Sequence, residues 1–317
     1  MNITRPIRTA VSYGLGSTLG AQQLRSNWRT RFAPAPTGFL HLGHVVNALH
    51  VWGAARAFGG AVLLRIEDHD RTRCRPEFED ALLRDLDWLG FVPDRSATVE
   101  SPAGEHILRQ SDNVARYQAL LNELFARGLE YGCICTRKDI AEIVGDQFGE
   151  ETPYPGTCKH ANHTSATARR FRVGEATESF DDIRLGAQSQ IPHKQCGDFL
   201  LRDRNANFTY QFCASADDWD QEIDLVIRGE DLLASTGRQL SLARALGRKR
   251  APYFLHHQLL LRPDGLKLSK SLGDNGVREL REAGFSREQV LGRAAFLCGL
   301  IKHEAALDIG EISLLFS

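Results

Sequence analysis

No stretch of this chain stays apolar long enough to cross a membrane as a helix, which excludes an integral helical membrane protein. There is no internal repeat and no low-complexity tract, so solenoid and linker-like organisations are set aside. The first residues include Arg5 and Arg8 but no continuous apolar core before a cleavage site, and no signal peptide is expected. Excess charge is also missing: the formal net charge is -1 over 317 residues. No global field draws in a polyanion, so contact with RNA has to come from a local basic patch. Arg169-Arg170-Phe171-Arg172 and Arg248-Lys249-Arg250 are the candidates, and each reads equally well as solvated surface. No G-x-x-x-x-G-K-[ST] loop occurs, which excludes P-loop nucleotide binding. The cysteines number seven, an odd count that does not suggest a disulfide framework. A monomer in the cytoplasm is expected.

What is present begins with a β-loop-α-β pattern. Thr30 to Pro34 reads as a short strand, and Pro34-Ala35-Pro36-Thr37-Gly38 breaks it. From Leu42 onward Val45, Val46, Leu49 and Trp52 recur at helical spacing, as in an amphipathic helix. Gly59-Gly60 ends it, and Ala61 to Ile66 reads as a buried parallel strand. The N-terminus of such a helix is a ready anion site. His41 and His44 fall on one face of it. Gly43 between them leaves room for an adenine or a phosphate at the backbone. Far along the chain, Arg262-Pro263-Asp264-Gly265 is turn chemistry, followed by Lys267, Ser269, Lys270 and Ser271. Two ammonium groups in one loop suit a polyphosphate whose charge rises as pyrophosphate departs.

Five segments in order carry a resemblance. They are Arg31 to Gly38, His41-Leu42-Gly43-His44, Arg65-Ile66-Glu67-Asp68-His69-Asp70-Arg71, Arg228-Gly229-Glu230-Asp231-Leu232, and Lys267-Leu268-Ser269-Lys270-Ser271. From about Arg29 to about Gly276 the chain resembles a class I aminoacyl-tRNA synthetase of the glutamyl type. Only a short tail follows Ser271, with a helical pattern over Ser286 to Leu297 carried by Val290, Leu291, Ala294, Ala295 and Leu297. That is below the usual size of a domain. The likeness is therefore to the short members of the family, which keep the catalytic core and lack the anticodon-binding half.

The resemblance implies an α/β fold: a Rossmann-like class I synthetase catalytic core with a zinc-bearing insertion and a short helical C-terminal segment. The expected divisions are an N-terminal extension at 1–29 and a first catalytic half at 30–110. An inserted acceptor-binding and zinc segment at 111–196 follows, beginning with a helix containing Val114, Tyr117, Leu120, Leu121 and Leu124. The second catalytic half with the lysine loop spans 197–275, and the helical tail 276–317. ATP with Mg²⁺ would be bound by His41, Gly43, His44, Lys267, Ser269 and Lys270, and His41, His44, Lys267 and Lys270 would stabilise the transition state.

L-glutamate offers two carboxylates and an ammonium, and two arginines with one acid are the economical match. Arg31, Glu67 and Arg228 each end a predicted strand, where open α/β sheets bind ligands. The family places its glutamate ligands there, with Tyr210 adding a hydroxyl. Glutaminyl enzymes do not keep the arginine matched by Arg228. Asp68 and Asp70 read as loop-ordering residues, and Asp217-Asp218 as shaping the site. The family's zinc pattern falls on Cys133, Cys135, Tyr154 and Cys158. Three thiolates fit tetrahedral zinc, and His160 and His163 compete with Tyr154 as fourth ligand. Buried apolar cysteines are the plain alternative. Cys74, Cys196, Cys213 and Cys298 show no grouping and read as structural.

For the short members the acceptor of activated glutamate is the queuosine base in the anticodon of tRNA(Asp). Three other readings stay open: a truncated glutamyl-tRNA synthetase charging the tRNA 3′ end, transfer to a non-tRNA acceptor, or a non-catalytic paralogue that binds RNA or a partner.

Overall fold

Strand β1 (Arg29–Phe32), helix α1 (Leu42–Phe58) and strand β2 (Ala61–Ile66) form the expected opening unit. The computed structural model describes residues 24, 27–94, 107–145, 152–161, 163–260 and 276–316. β1 stops at Phe32, because Pro34 has no N–H to give a ladder. The Pro34 carbonyl still accepts from the Glu67 N–H at 3.0 Å. Gly59 closes α1 in the left-handed conformation, φ 69°, which only glycine adopts without cost. Helix α2 (Pro76–Leu89) carries proline in its first turn and ends on Gly90 in the same way. It leads toward β3 (Ile107–Arg109), and β1, β2 and β3 pair in parallel.

Helix α3 (Val114–Ala126) buries Tyr117, Leu120, Leu121 and Leu124, while Val114, counted with them in the sequence, is exposed. Beyond it come β4 (Glu130–Gly132), α4 (Arg137–Val144) and β5 (Arg169–Phe171). The hairpin β6 (Glu178–Asp182) and β7 (Gly186–Gln190) follows, then the one-turn helix α5 (Pro192–Gln195) and β8 (Leu200–Arg202). β4, β5 and β8 make a separate antiparallel sheet. Its core with α3 contains Phe171, Phe199, Leu201, Phe208 and Phe212.

The chain then returns to the parallel sheet through α6 (Tyr210–Asp220), β9 (Leu225–Gly229), α7 (Thr236–Ala245) and β10 (Tyr253–His257). β9 and β10 are parallel, and β10 also meets β6. β9 lies beside β1: the Asp224 N–H donates to the Arg29 carbonyl, and the Asp224 carboxylate accepts from the Arg29 N–H, both at 2.9 Å. The parallel strands thus run β3-β2-β1-β9-β10, and the chain winds outward in both directions from the β1/β9 boundary. A crevice outside the carboxyl ends of the strands opens at such a boundary.

Helices α8 (Val277–Glu282) and α9 (Arg287–Leu297) finish the described chain, with a short 3₁₀ turn at Ile312–Leu315. α9 buries Val290, Leu291, Ala294 and Ala295 as expected, but Leu297 is exposed. The opening helix departs from its amphipathic reading. α1 buries Val45, Ala48, Leu49, Val51, Trp52, Ala54 and Ala55, because α9 and the residues around Phe316 cover the face that the repeat left for solvent. A helix apolar on all sides belongs inside a core. No described helix is long and apolar enough to cross a membrane.

Candidate active site

The crevice at the β1/β9 boundary is a cleft of about 420 Å³. Arg31, His41, Gly43, His44, Glu67, Tyr210 and Arg228 all line it. These residues are far apart in sequence, and the fold brings together every expected ATP and glutamate residue that the structure describes. Lys267, Ser269 and Lys270 lie outside the described residues.

At the mouth of α1 the two histidines cap the helix. The Gly43 N–H donates to His41 Nδ1 and the His41 N–H to His44 Nδ1, both at 3.1 Å. This is a capping box built from imidazoles rather than hydroxyl and carboxylate. The rings lie 4.0 Å apart between centroids. Using Nδ1 for the backbone fixes each ring's direction. Gly43 has a reason beyond ligand access, since a Cβ there would sit 2.9 Å from His41 Cε1.

Deeper in, Arg31 donates through Nε to Asp218 (3.0 Å) and through a terminal nitrogen to the Ile227 carbonyl (3.2 Å). Arg65, fully buried, bridges Asp218 at 2.8 Å, Gln221 at 2.9 Å and Glu67 at 3.0 Å. Burial pushes the Asp218 carboxyl up, and the charges of Arg31 and Arg65 reverse that and hold it well below the usual range. Asp217 accepts from both Tyr117 and Gln110, and burial pushes it up to about 6. The adjacent aspartates thus sit on opposite sides of an ordinary carboxylate. Asp68 accepts from the Ser111 N–H and Asp70 from Thr72 and Arg73, so both order the loop after β2.

Arg228 is different. It is 4% exposed, yet among the described residues no carboxylate pairs with it. Its Nε donates to His256 Nε2 (3.0 Å), and its terminal nitrogens to Gln239 Oε1 (2.7 Å) and Thr236 Oγ1 (2.9 Å). All three acceptors are uncharged. Burial lowers this guanidinium's affinity for its proton, and the neighbouring Tyr210 hydroxyl opposes that fall. A buried cation with polar but neutral company is costly until an anion joins it.

The residues of the second cluster do not line this cleft. The Sγ atoms of Cys133, Cys135 and Cys158 lie within 4.8 Å of one another. The Tyr154 hydroxyl is 3.5 Å from Cys133 and from Cys135 and accepts from the Cys158 N–H at 2.9 Å. Arg170 donates to Cys133 Sγ at 3.2 Å and lies 3.6 Å over the Tyr154 ring. Burial pushes the Cys158 thiol up, but bonds from the Ile134 backbone, Tyr154 and the other two thiols bring it down to about 6. Three thiols and a phenol at this spacing, beside a guanidinium, could hold a metal ion. His160 and His163 line a different cavity, with Lys159 and Arg172.

Two arginines of the first basic patch are used internally, while Arg172 is half-buried over the Tyr131 ring. Arg169 is buried against Glu130, and Arg170 belongs to the cysteine cluster. Arg248 likewise donates to the carbonyls of Asp218, Ile223 and Arg250. Sequence reasoning missed the support around Arg228, namely Asp182, Thr236, Gln239 and His256. Only the alternation of β6 hinted that Asp182 points inward, and β10, buried at four successive residues, gives no such signal for His256.

A parallel sheet with an anion-ready helix and a carboxylate-seeking cleft at its winding point defines a nucleotide-using α/β enzyme fold. The profile of the class I tRNA synthetases (E and Q), catalytic domain, matches residues 27–306, and the chain belongs to that family. It is 37% identical to the glutamyl-Q tRNA(Asp) synthetase of Nitratidesulfovibrio vulgaris, over 86% of this chain and 87% of that one. It is 42% identical to the protein of the same name from Burkholderia mallei, over 78% and 82%. Among solved structures it resembles a glutamate tRNA ligase from Elizabethkingia meningosepticum in complex with its amino acid, with a TM-score of 0.69 at 28% identity. That match covers 85% of this chain and 60% of the other.

Proposed function

We propose that this chain activates L-glutamate with ATP and transfers it to the queuosine base in the anticodon of tRNA(Asp). The observation that carries the amino-acid assignment is Arg228, a buried guanidinium whose described partners are all neutral. It faces a cleft shared with Arg31, Glu67 and Tyr210. A γ-carboxylate supplies the missing charge, while glutamine's amide does not. Glu67 takes the α-ammonium, and Arg31 and Tyr210 guide the α-carboxylate. The acceptor is supported by the two relatives named for it.

The α-carboxylate of glutamate attacks the α-phosphorus of ATP in line, with Mg²⁺ on the phosphates, and pyrophosphate leaves. Held at Nδ1 by backbone, His41 and His44 stabilise the charge that develops on the phosphate oxygens, aided by Lys267 and Lys270. Glutamyl-adenylate then gives its acyl group to a hydroxyl of the modified base and AMP departs. In the cysteine cluster Cys133, Cys135, Tyr154 and Cys158 would hold zinc, which would tie these segments together in a structural role.

Two measurements test this. Pyrophosphate should exchange into ATP with glutamate and without tRNA, and no exchange with or without RNA removes the enzymatic reading. Nuclease mapping of the labelled product should find glutamate on the anticodon fragment. Label on the 3′-terminal adenosine instead would restore the truncated-synthetase reading.

A further inference from the structure

His256 stands behind Arg228, 0% exposed, and its hydrogen bonds leave only one protonation state. Asp182 accepts four donors: the N–H groups of Arg184 and Leu185 on Oδ1, and the N–H and Nδ1 of His256 on Oδ2. A carboxylate accepting from three backbone amides has no proton to offer, so His256 Nδ1 carries the hydrogen of that 2.6 Å bond. On the far side of the ring Arg228 Nε can only donate, so His256 Nε2 keeps its lone pair. The imidazole is locked neutral, as the Nδ1–H tautomer, between an anion and a cation. Phe254 stacks on it at 5.8 Å and excludes water from one side.

The charged groups around it are accounted for. Asp182 comes from β6, Arg184 follows on the hairpin turn and donates to the His256 carbonyl, and Arg228 comes from β9. Glu230 is spent on Arg184. Asp218, whose charge also reaches Arg228, is held by Arg31 and Arg65. Behind the guanidinium the carboxylate is Asp182, and the ring stands between them.

We infer that His256 is a positioning residue for substrate selection: as a neutral acceptor it aims the Arg228 guanidinium while keeping Asp182 from neutralising it. Were a carboxylate in direct contact, Arg228 would be satisfied within the protein, and an anionic side chain would gain little over an amide. With imidazole interposed, the guanidinium is held by three acceptors yet keeps its whole charge for the ligand. Discrimination between a carboxylate and an amide then depends on a residue that touches neither. This rests on the proposal that Arg228 receives the γ-carboxylate.

The test uses the whole chain in ATP–pyrophosphate exchange, reading KM for glutamate, kcat and KM for ATP separately. His256→Gln retains a neutral acceptor and should raise the glutamate KM no more than about threefold. His256→Glu places a carboxylate on Arg228 and should raise it about a hundredfold or more, with the ATP KM unchanged. In the same variant the preference for glutamate over glutamine should shrink by a similar factor. A purely structural role would instead lower kcat and raise both KM values together. If His256→Glu does not fold, His256→Gln still decides, since a rise of a hundredfold in that variant contradicts a role as neutral acceptor. Equal glutamate KM in His256→Glu and wild type overturns the inference. Arg228→Cys is the control for the underlying reading. If it leaves glutamate KM unchanged the carboxylate assignment fails, whereas loss in Arg228→Cys without loss in His256→Glu condemns only the role of His256.

Discussion

Asp218 is the residue on which both Arg31 and Arg65 lean, at 3.0 and 2.8 Å. Asp218→Asn should cost about 3–5 kcal/mol in urea unfolding at neutral pH, the usual result of removing one partner from a buried ion cluster. The pH sign follows from its depressed carboxyl. Its contribution is fully present above the unfolded carboxylate value near about 4 and is lost as pH falls through the folded value. The gap between wild type and variant should therefore narrow in acid, and a gap that widens there would contradict the assignment. At this scale the sequence was legible where charge meets ligand. Glu67 and Arg228 could be found because each follows an apolar strand, and Arg31 because it opens the first of the five motif segments. Their supports could not. Thr236, Gln239 and His256 contact Arg228 from a helix and a neighbouring strand, Asp182 reaches it only through His256, and nothing local to these residues betrays that meeting. Arg170 was read as a basic patch because a sequence does not reveal that its guanidinium faces a thiol.

Among elements, α1 was legible in extent but not in setting. Its start at Leu42 and its glycine stop follow from local rules, whereas its burial on nearly every side depends on segments far along the chain. Its mouth makes a sharp prediction. Gly43→Ala puts a methyl group 2.9 Å from His41 Cε1, which should turn the ring off its cap. Expected are a loss of about 1 kcal/mol of stability, the ordinary worth of an N-cap, and a fall in exchange rate of roughly tenfold or more. An unchanged rate would mean that the His41 ring does not act on ATP. The cysteine cluster has its own test. Cys135→Ser should lower zinc by elemental analysis and loosen β4 and its neighbours to proteolysis, with ATP KM little changed. A well-folded wild type without metal would refute the zinc assignment.

For the molecule as a whole, net charge and the internal use of Arg169, Arg170 and Arg248 point the same way. Of the two patches Arg172, Lys249 and Arg250 remain to neutralise phosphates. Binding of tRNA should show a shallow salt dependence, with a log–log slope of roughly -2 to -3, as for three or four phosphate contacts. A slope steeper than about -6 would reveal a large basic surface that these residues do not supply.

Phe316 gives the molecule an order of assembly. Its ring occupies the space beside Gly53, where a Cβ would come within 2.2 Å of it, and it meets His50 edge-on at 5.5 Å. On the ribosome, α1 emerges long before this covering ring does. At about 5–20 residues per second, it waits on the order of tens of seconds. During that interval a helix with almost no polar face is bare, and contacts of such long range close slowly. Nascent chains stalled before residue 312 should be cut by protease within α1, and chains extended past residue 316 should resist. The half of the nucleotide site that is translated first thus waits for its cover on a segment made far later.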